Sequence, residues 1–340
     1  MEMDDKAATL SQPEERPGPL RSLREIWRIL IGRHEIVVLV LLLGIGAFLS
    51  LRTDTFLTWN SLSNISRAFS WIAIAAFGES MVIIIGGIDL SVGAVMALAG
   101  LITARCLDAG LPVPLAIVAG LLTGGLVGWV NGTLVGRVKL PPFIITLATM
   151  SIARGITFGL TGGWPVLDLP QGFRVLGQHD LPLGSLSLPV PVLFMLGLAV
   201  LVSLLMGKTV VGNYIYALAS SERALLTSGV NVVQIKALVY TLCGVLTAIG
   251  GLLMTARLGV AAPTAAVGYE LDIIAAAVIG GTSLFGGEGT IMGVLLGAAV
   301  MQMLRTGLVL LGLSAYWQTA ALGTMILAFI LLDHWRRQIR

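Results

Sequence analysis

IIIGGIDLSVGAVMALAG, residues 83–100, carries an apolar helix to a Gly-Gly step at Gly86 and Gly87, follows it with an acid at Asp89, and leaves as a second apolar helix. Its echo is VIGGTSLFGGEGTIMG, residues 278–293. Both hold the pattern GGxxLxxG, at 86–93 and 280–287, with long apolar segments on each side. Backbone that leaves the helix at membrane depth needs protein or water to satisfy its peptide groups, and paired breaks of this kind point to a transport pathway. Either break alone reads equally well as a cytoplasmic turn between two helices.

Of the 340 residues, 56% are hydrophobic and 11% charged, against about 25% charged in an ordinary soluble domain. With a mean hydropathy of +0.93, this is the balance of an all-α polytopic membrane protein, since successive apolar runs of about 17–25 residues match the hydrocarbon core of a bilayer. The net charge of +3 sits in loops and ends, where it is a topology signal and not the footprint of a nucleic-acid binder. Cys106 and Cys243 are far apart and form no CxxC, and His34, His179 and His334 do not cluster, so neither a disulfide framework nor a metal site is read. There is no HExxH and no GxSxG, and no Ser, His and Asp set, which argues against an enzyme. Gly207, Lys208 and Thr209 spell the end of a phosphate-binding loop, but Val202 stands where its first glycine belongs. If transport is driven by ATP, that nucleotide and its Mg are bound by another polypeptide.

Residues 1–34 are polar, with Pro13, Pro17 and Pro19 and the basic residues Arg21, Arg24, Arg28 and Arg33. They read as an uncleaved cytoplasmic tail in which residues 24–32, with Trp27, suit an interfacial helix. A transmembrane domain over 35–333 follows, with ten spans expected near 35–51, 64–85, 89–105, 112–134, 141–160, 188–206, 234–257, 270–280, 290–311 and 316–333. The 270–280 segment is short, and the segments beside the breaks are alternatively re-entrant. An even count puts both termini in the cytoplasm, in keeping with the basic tail HWRRQIR at 334–340 and with the basic loops at Arg137 and Lys139 and at Lys208 and Arg223. The longest outside loop, 161–187, is either a cover over the entrance, a contact for a soluble partner, or a spacer. The longest inside loop, 208–235, holds a polar, helix-competent centre at about 219–230, a natural contact for a peripheral subunit.

Gly120, Gly124, Gly128 and Gly132 recur at intervals of four, as do Gly289, Gly293 and Gly297, so each series lies on one helix face and lets a neighbouring helix approach closely. Break followed by close-packing helix, twice over, reads as two internally related halves. The intramembrane polar residues are Glu79, Asp89, Arg154, Glu270, Asp272, Gln302 and Arg305, each a functional candidate because a charge in the bilayer must pair or face water. Glu79 is expected to face the bundle interior with Arg154 as its partner. Glu270 and Asp272 read as acids at a helix start, and Arg305 as a side chain snorkelling to the outer interface.

Several runs together resemble one family. GGIDLSVGAVMALAG at 86–100, KLPPFIITLATMSIARGITFGLTGG at 139–163, GNYIYALASSERALLTSGVNVVQIKALVYTLCG at 212–244, VIGGTSLFGGEGTIMGVLLGA at 278–298 and TGLVLLGLSAYWQ at 306–318 are similar to the membrane permease subunit of bacterial ATP-binding cassette importers for monosaccharides, the ribose, xylose and galactose type. The resemblance covers about residues 36–333 and implies a permease of the bacterial inner membrane, paired with a second permease, identical or related. It further implies a cytoplasmic ATPase with two cassettes below, a periplasmic sugar-binding protein above, and transport by alternating access. On that resemblance Ser221, Glu222, Arg223, Ala224 and Gly229 belong to the helix that couples the permease to its ATPase. Arg223 stands where relatives carry a glutamate, with Glu222 one place earlier, and Arg305 stands where they carry a small amide residue.

The translocation-path candidates are Glu79, Gly86, Gly87, Asp89, Ser91, Arg154, Gly280, Gly281, Thr282, Ser283 and Arg305. Backbone at the breaks, hydroxyls and a few acids offer the weak contacts a conduit for neutral sugar needs. Two other classes remain open on the residues alone: a proton-coupled secondary carrier working through Glu79 or Asp89, and a membrane-embedded enzyme.

Overall fold

The structure is a computed structural model that describes residues 34–183 and 186–338, so the expected tail with its interfacial helix, and the last two residues, lie outside the described part. In order the elements are α1 (His34–Arg52), α2 (Trp59–Ile84), α3 (Val92–Asp108), α4 (Val113–Val138), α5 (Pro142–Thr161), α6 (Gln171–Gln178), β1 (Asp180–Leu183), β2 (Leu186–Pro189), α7 (Val190–Lys208), α8 (Val210–Ser220), α9 (Glu222–Thr227), α10 (Val232–Leu258), α11 (Tyr269–Ile279), α12 (Ile291–Leu310) and α13 (Ala315–Gln338). Among the described residues, seven helices (α1, α2, α4, α5, α7, α10 and α12) are long and apolar enough to cross a bilayer. Of the rest, α3 has 17 residues and α11 has 11. The chain is thus a helical, multi-pass membrane protein. α13 continues through the first residues of the expected basic tail.

Local chemistry places the helix starts. Pro114, Pro142 and Pro191 occupy the first turns of α4, α5 and α7, where a missing N–H has no intrahelical partner to lose. Thr58, Asn231 and Thr290 cap α2, α10 and α12 by accepting from Ser61, Gln234 and Gly293. The Thr58 cap explains why α2 begins at Trp59, earlier than the apolar run near 64 that the sequence shows.

α2 is the least apolar of the seven and the most buried, with 89% of its most apolar window buried: its polar side chains find partners inside the bundle, and it is the bundle's axis. Every residue from Ser70 to Ile84 is buried. α10, α12, α11 and α7 pack around it. α4, α5 and α7 are more apolar but mostly unburied, with Leu122, Leu126, Trp129 and Ile152 exposed, as on a lipid-facing or subunit-facing wall.

The α4 glycines do what their spacing predicts. A Cβ on Gly128 would overlap the Tyr240 carbonyl oxygen, and one on Gly132 would stand 2.6 Å from that of Lys236, so α10 lies directly in the α4 groove. In the second series, Gly293 and Gly297 pack α12 against α11, while Gly289 precedes the helix and belongs to the break.

The 161–187 segment is a packed cap and not a spacer. Phe173 is fully buried, Val166 bridges Ala261 by paired 3.0 Å backbone hydrogen bonds, and the Gln178 amide donates to the Arg257 carbonyl at 3.0 Å. β1 and β2 form an antiparallel hairpin from Asp180↔Pro189 to Leu183↔Leu186, and Arg67 of α2 pairs with Asp180.

Candidate functional site: the two helix breaks and the short helix beside them

Both Gly-Gly steps end a helix by the same closure, in which a residue with left-handed φ lets the next N–H reach back to the last turn. In the first, Gly86 has φ +80° and the Gly87 N–H donates to the Val82 carbonyl at 2.9 Å. In the second, Gly281 has φ +94° and the Thr282 N–H donates to the Ala277 carbonyl at 3.0 Å. Gly86 is therefore the structural counterpart of Gly281, one place off the alignment that GGxxLxxG implies. Gly110, Gly229 and Gly312 close their helices in the same manner, so the closure itself is common. What sets the two breaks apart is that they meet: the Gly287 N–H donates to the Ile84 carbonyl at 3.0 Å, joining the second break to the last turn before the first.

A buried polar network holds the first break. Glu79, fully buried on α2, accepts the Asp89 backbone N–H at 3.0 Å, and the Cys243 thiol of α10 lies 3.9 Å from its other oxygen. Asp89 folds onto its own turn, accepting from the Ser91 N–H at 2.8 Å and from the Ser91 hydroxyl. The Asn131 amide of α4 donates to Ser91 Oγ at 3.2 Å, and Thr149 of α5 donates to the Asn131 carbonyl oxygen at 2.6 Å. Thr146 receives the Leu90 N–H at 3.2 Å and donates to the Ile88 carbonyl at 3.1 Å. Peptide groups that left the helix thus find side-chain partners from α2 and α5, while α4 holds the Ser91 hydroxyl.

One expected pairing and one expected placement are corrected. Arg154 does not reach Glu79; its guanidinium donates to the Pro263 and Ala265 carbonyls at 2.9 and 2.8 Å, holding the loop before α11. Carbonyls of a turning loop present more acceptors there than a carboxylate already engaged by Asp89. Arg305 does not snorkel; it pairs with the buried Asp272 and lies over the Tyr269 ring, 4.8 Å from its centroid. Glu270 accepts the Gly268 N–H at 3.2 Å in the first turn of α11, as a capping acid does.

In the second break Thr282 and Ser283 are buried, the Ser283 N–H donates to the Glu288 carbonyl at 2.9 Å, and Gly280 packs on Gly293. At the same end of the bundle α9 stands as a separate six-residue helix. Ser221 caps it by accepting the Ala224 N–H at 3.1 Å, and Gly229, φ +80°, closes it. Glu222 pairs with Lys236 of α10 at 2.9 Å. Arg223 and Ala224 are exposed. From the preceding α8, the Tyr216 hydroxyl donates to the Gly289 carbonyl at 2.8 Å, so the α8–α9 unit touches the second break directly.

Sequence reasoning passed over Asn131, Thr146, Thr149, Tyr216 and Tyr240. Asn131 carried a signal, an amide on the wall of the glycine groove; the threonines and tyrosines look ordinary in apolar helices.

The chain matches, over residues 61–330, the family described as "Branched-chain amino acid transport system / permease component". It is 41% identical to the ribose import permease protein of Haemophilus influenzae, over 92% of this chain and 95% of that one. It is 37% identical to the D-allose transport system permease protein of Escherichia coli K12, over 86% and 89%, and 33% identical to the L-arabinose ABC transporter permease protein of Azospirillum brasilense, over 98% and 96%. No solved structure matches. With four-fifths of its length matched and relatives aligned nearly end to end, this chain belongs to the family of branched-chain amino acid transport system permease components, as a multi-pass transport subunit and not an enzyme.

Proposed function

We propose that the chain is the permease of an ATP-driven importer that passes a monosaccharide from a periplasmic binding protein to the cytoplasm by alternating access. The family description names branched-chain amino acids, but the relatives aligned over most of this chain are named for ribose, D-allose and L-arabinose. A neutral polyol also suits a bundle whose buried charges are engaged with one another or with backbone. Two permeases, identical or related, pair in the inner membrane, and a double-cassette ATPase, which binds the ATP and Mg, docks from the cytoplasm against Ser221, Glu222, Arg223, Ala224 and Gly229.

The observation that carries this reading is the continuity from α9 through α8 to both breaks: Tyr216 to Gly289, then Gly287 to Ile84. A rigid short helix pushed from below moves α8, and with it the turns that hold the path. Ten segments cross or enter the membrane as two related halves, α3 and α11 being the shorter members beside the breaks, with both termini cytoplasmic. The basic residues Arg137, Lys139 and Lys208 lie at the α9 end in support of that orientation. The path runs past Gly86, Gly87, Asp89, Ser91, Gly280, Gly281, Thr282 and Ser283, with Glu79 bracing the first turn and Arg154 and Arg305 at the opposite end.

The test is uptake of radiolabelled ribose, allose, arabinose and leucine into vesicles holding the full complex. Sugar uptake requiring both ATP and the binding protein supports the proposal. Uptake driven by a proton gradient alone makes the chain a secondary carrier, and uptake of leucine in preference to every sugar overturns the substrate class.

A further inference from the structure

We propose that the cavity between the first break and α9 is a binding site for one neutral polyhydroxylated solute molecule, with the Tyr240 hydroxyl as its hydrogen-bond partner. The inference rests on the transport reading above and adds to it the place on this chain where the solute is last held.

The cavity has a volume of about 420 Å³ and is lined by Gly86, Gly87, Lys139, Glu222, Lys236 and Tyr240, among others. That volume falls within the range of about 300–1,000 Å³ usual for small-molecule sites. Tyr240 is fully buried on α10, yet its hydroxyl has no hydrogen-bond partner in the protein. A buried phenol oxygen left unpaired is costly, and Tyr240 belongs to the cavity lining. Its position is enforced by the neighbouring turn, because a Cβ on Gly87 would overlap the hydroxyl. The glycine therefore makes room for the phenol.

The rest of the lining points to the class of ligand. Glu222 and Lys236 neutralise one another at 2.9 Å, which leaves no carboxylate free to hold an ammonium group and so disfavours a zwitterionic amino acid. With Lys139 as a further donor at the rim, turn backbone at Gly86 and a phenol that both donates and accepts, the lining matches a solute carrying several hydroxyls and no positive charge. Leu140 and Val135 supply apolar wall against the carbon skeleton. Glu222 is also a residue of α9, so a solute in this cavity touches the helix assigned to docking.

The experiment uses the full chain in lipid nanodiscs, with Cys106→Ser and a single probe at Leu140→Cys. Cys243 is fully buried and is not a competing label site. The rate of modification by a polar maleimide is measured in buffer and with D-ribose, D-allose, L-arabinose or L-leucine. The expected result is that at least one sugar slows labelling severalfold and leucine does not. Tyr240→Phe should label at the unchanged rate in buffer, which reports an intact fold, and should need about five-fold more sugar for the same protection, the loss of one neutral hydrogen bond. Equal protection in Tyr240→Phe means that the phenol meets only water, and overturns the inference. So does the absence of protection by any sugar, and protection by leucine alone overturns the ligand class. ATP-driven sugar uptake by the reconstituted complex, measured alongside, separates the two levels: uptake without protection sinks the cavity site and leaves the transport reading standing.

Discussion

Glu79 offers the sharpest test of how the first break is held. Its carboxylate accepts the Asp89 N–H at 3.0 Å in a site with no solvent exposure. Glu79→Ala removes that acceptor and strands the N–H, which costs about 1–3 kcal/mol, and it empties side-chain volume between α2 and α10, which adds to the loss. Glu79→Gln keeps an acceptor oxygen of the same reach and should stay within about 1 kcal/mol of the parent. The purified chain in detergent should therefore melt markedly lower as the alanine variant and near the parent temperature as the glutamine variant, and ATP-driven uptake should follow the same order. Alanine and glutamine variants that melt together would refute the bracing role. A glutamine variant that melts normally but transports nothing would show that the proton on this acid matters, and would restore the proton-coupled reading.

Three further outcomes follow from the packing. Gly128→Val drives a side chain into the Tyr240 carbonyl and should abolish folding of the α4–α10 pair, read as lost monodisperse yield; Gly155→Ala, with nothing within 4 Å, should be silent. Arg305→Gln leaves buried Asp272 without its cation and should destabilise by about 3–5 kcal/mol, whereas the double variant Arg305→Leu with Asp272→Leu should recover most of the melting temperature. Tyr216→Phe deletes the hydrogen bond to Gly289 and should lower uptake per ATP hydrolysed in the full complex while leaving its ATPase rate near the parent value; unchanged coupling would remove Tyr216 from the link.

Much of the bundle was legible because its signals are local. The seven long apolar helices fall within about five residues of their expected windows, and the α4 glycine series marked the groove that α10 fills. The counterparts within the breaks were misaligned by one residue, because a repeated letter pattern does not say which glycine takes the left-handed φ; that depends on where the preceding helix runs out of partners. The 161–187 segment looked like a possible spacer because its prolines and polar residues hide the buried anchors Leu169 and Phe173.

The residues alone determined that this chain lives in a membrane and where α4 packs closely, because transfer of apolar side chains and the absence of a Cβ act position by position. Only the tertiary structure decided which polar groups meet: Glu79 with the Asp89 backbone in place of Arg154, Arg305 with Asp272, Tyr216 with Gly289, and an unpaired Tyr240 hydroxyl at a cavity wall. A buried donor or acceptor takes whichever partner the folded helices bring within about 3 Å, and that proximity is a property of the assembled bundle, arising between residues up to tens of positions apart.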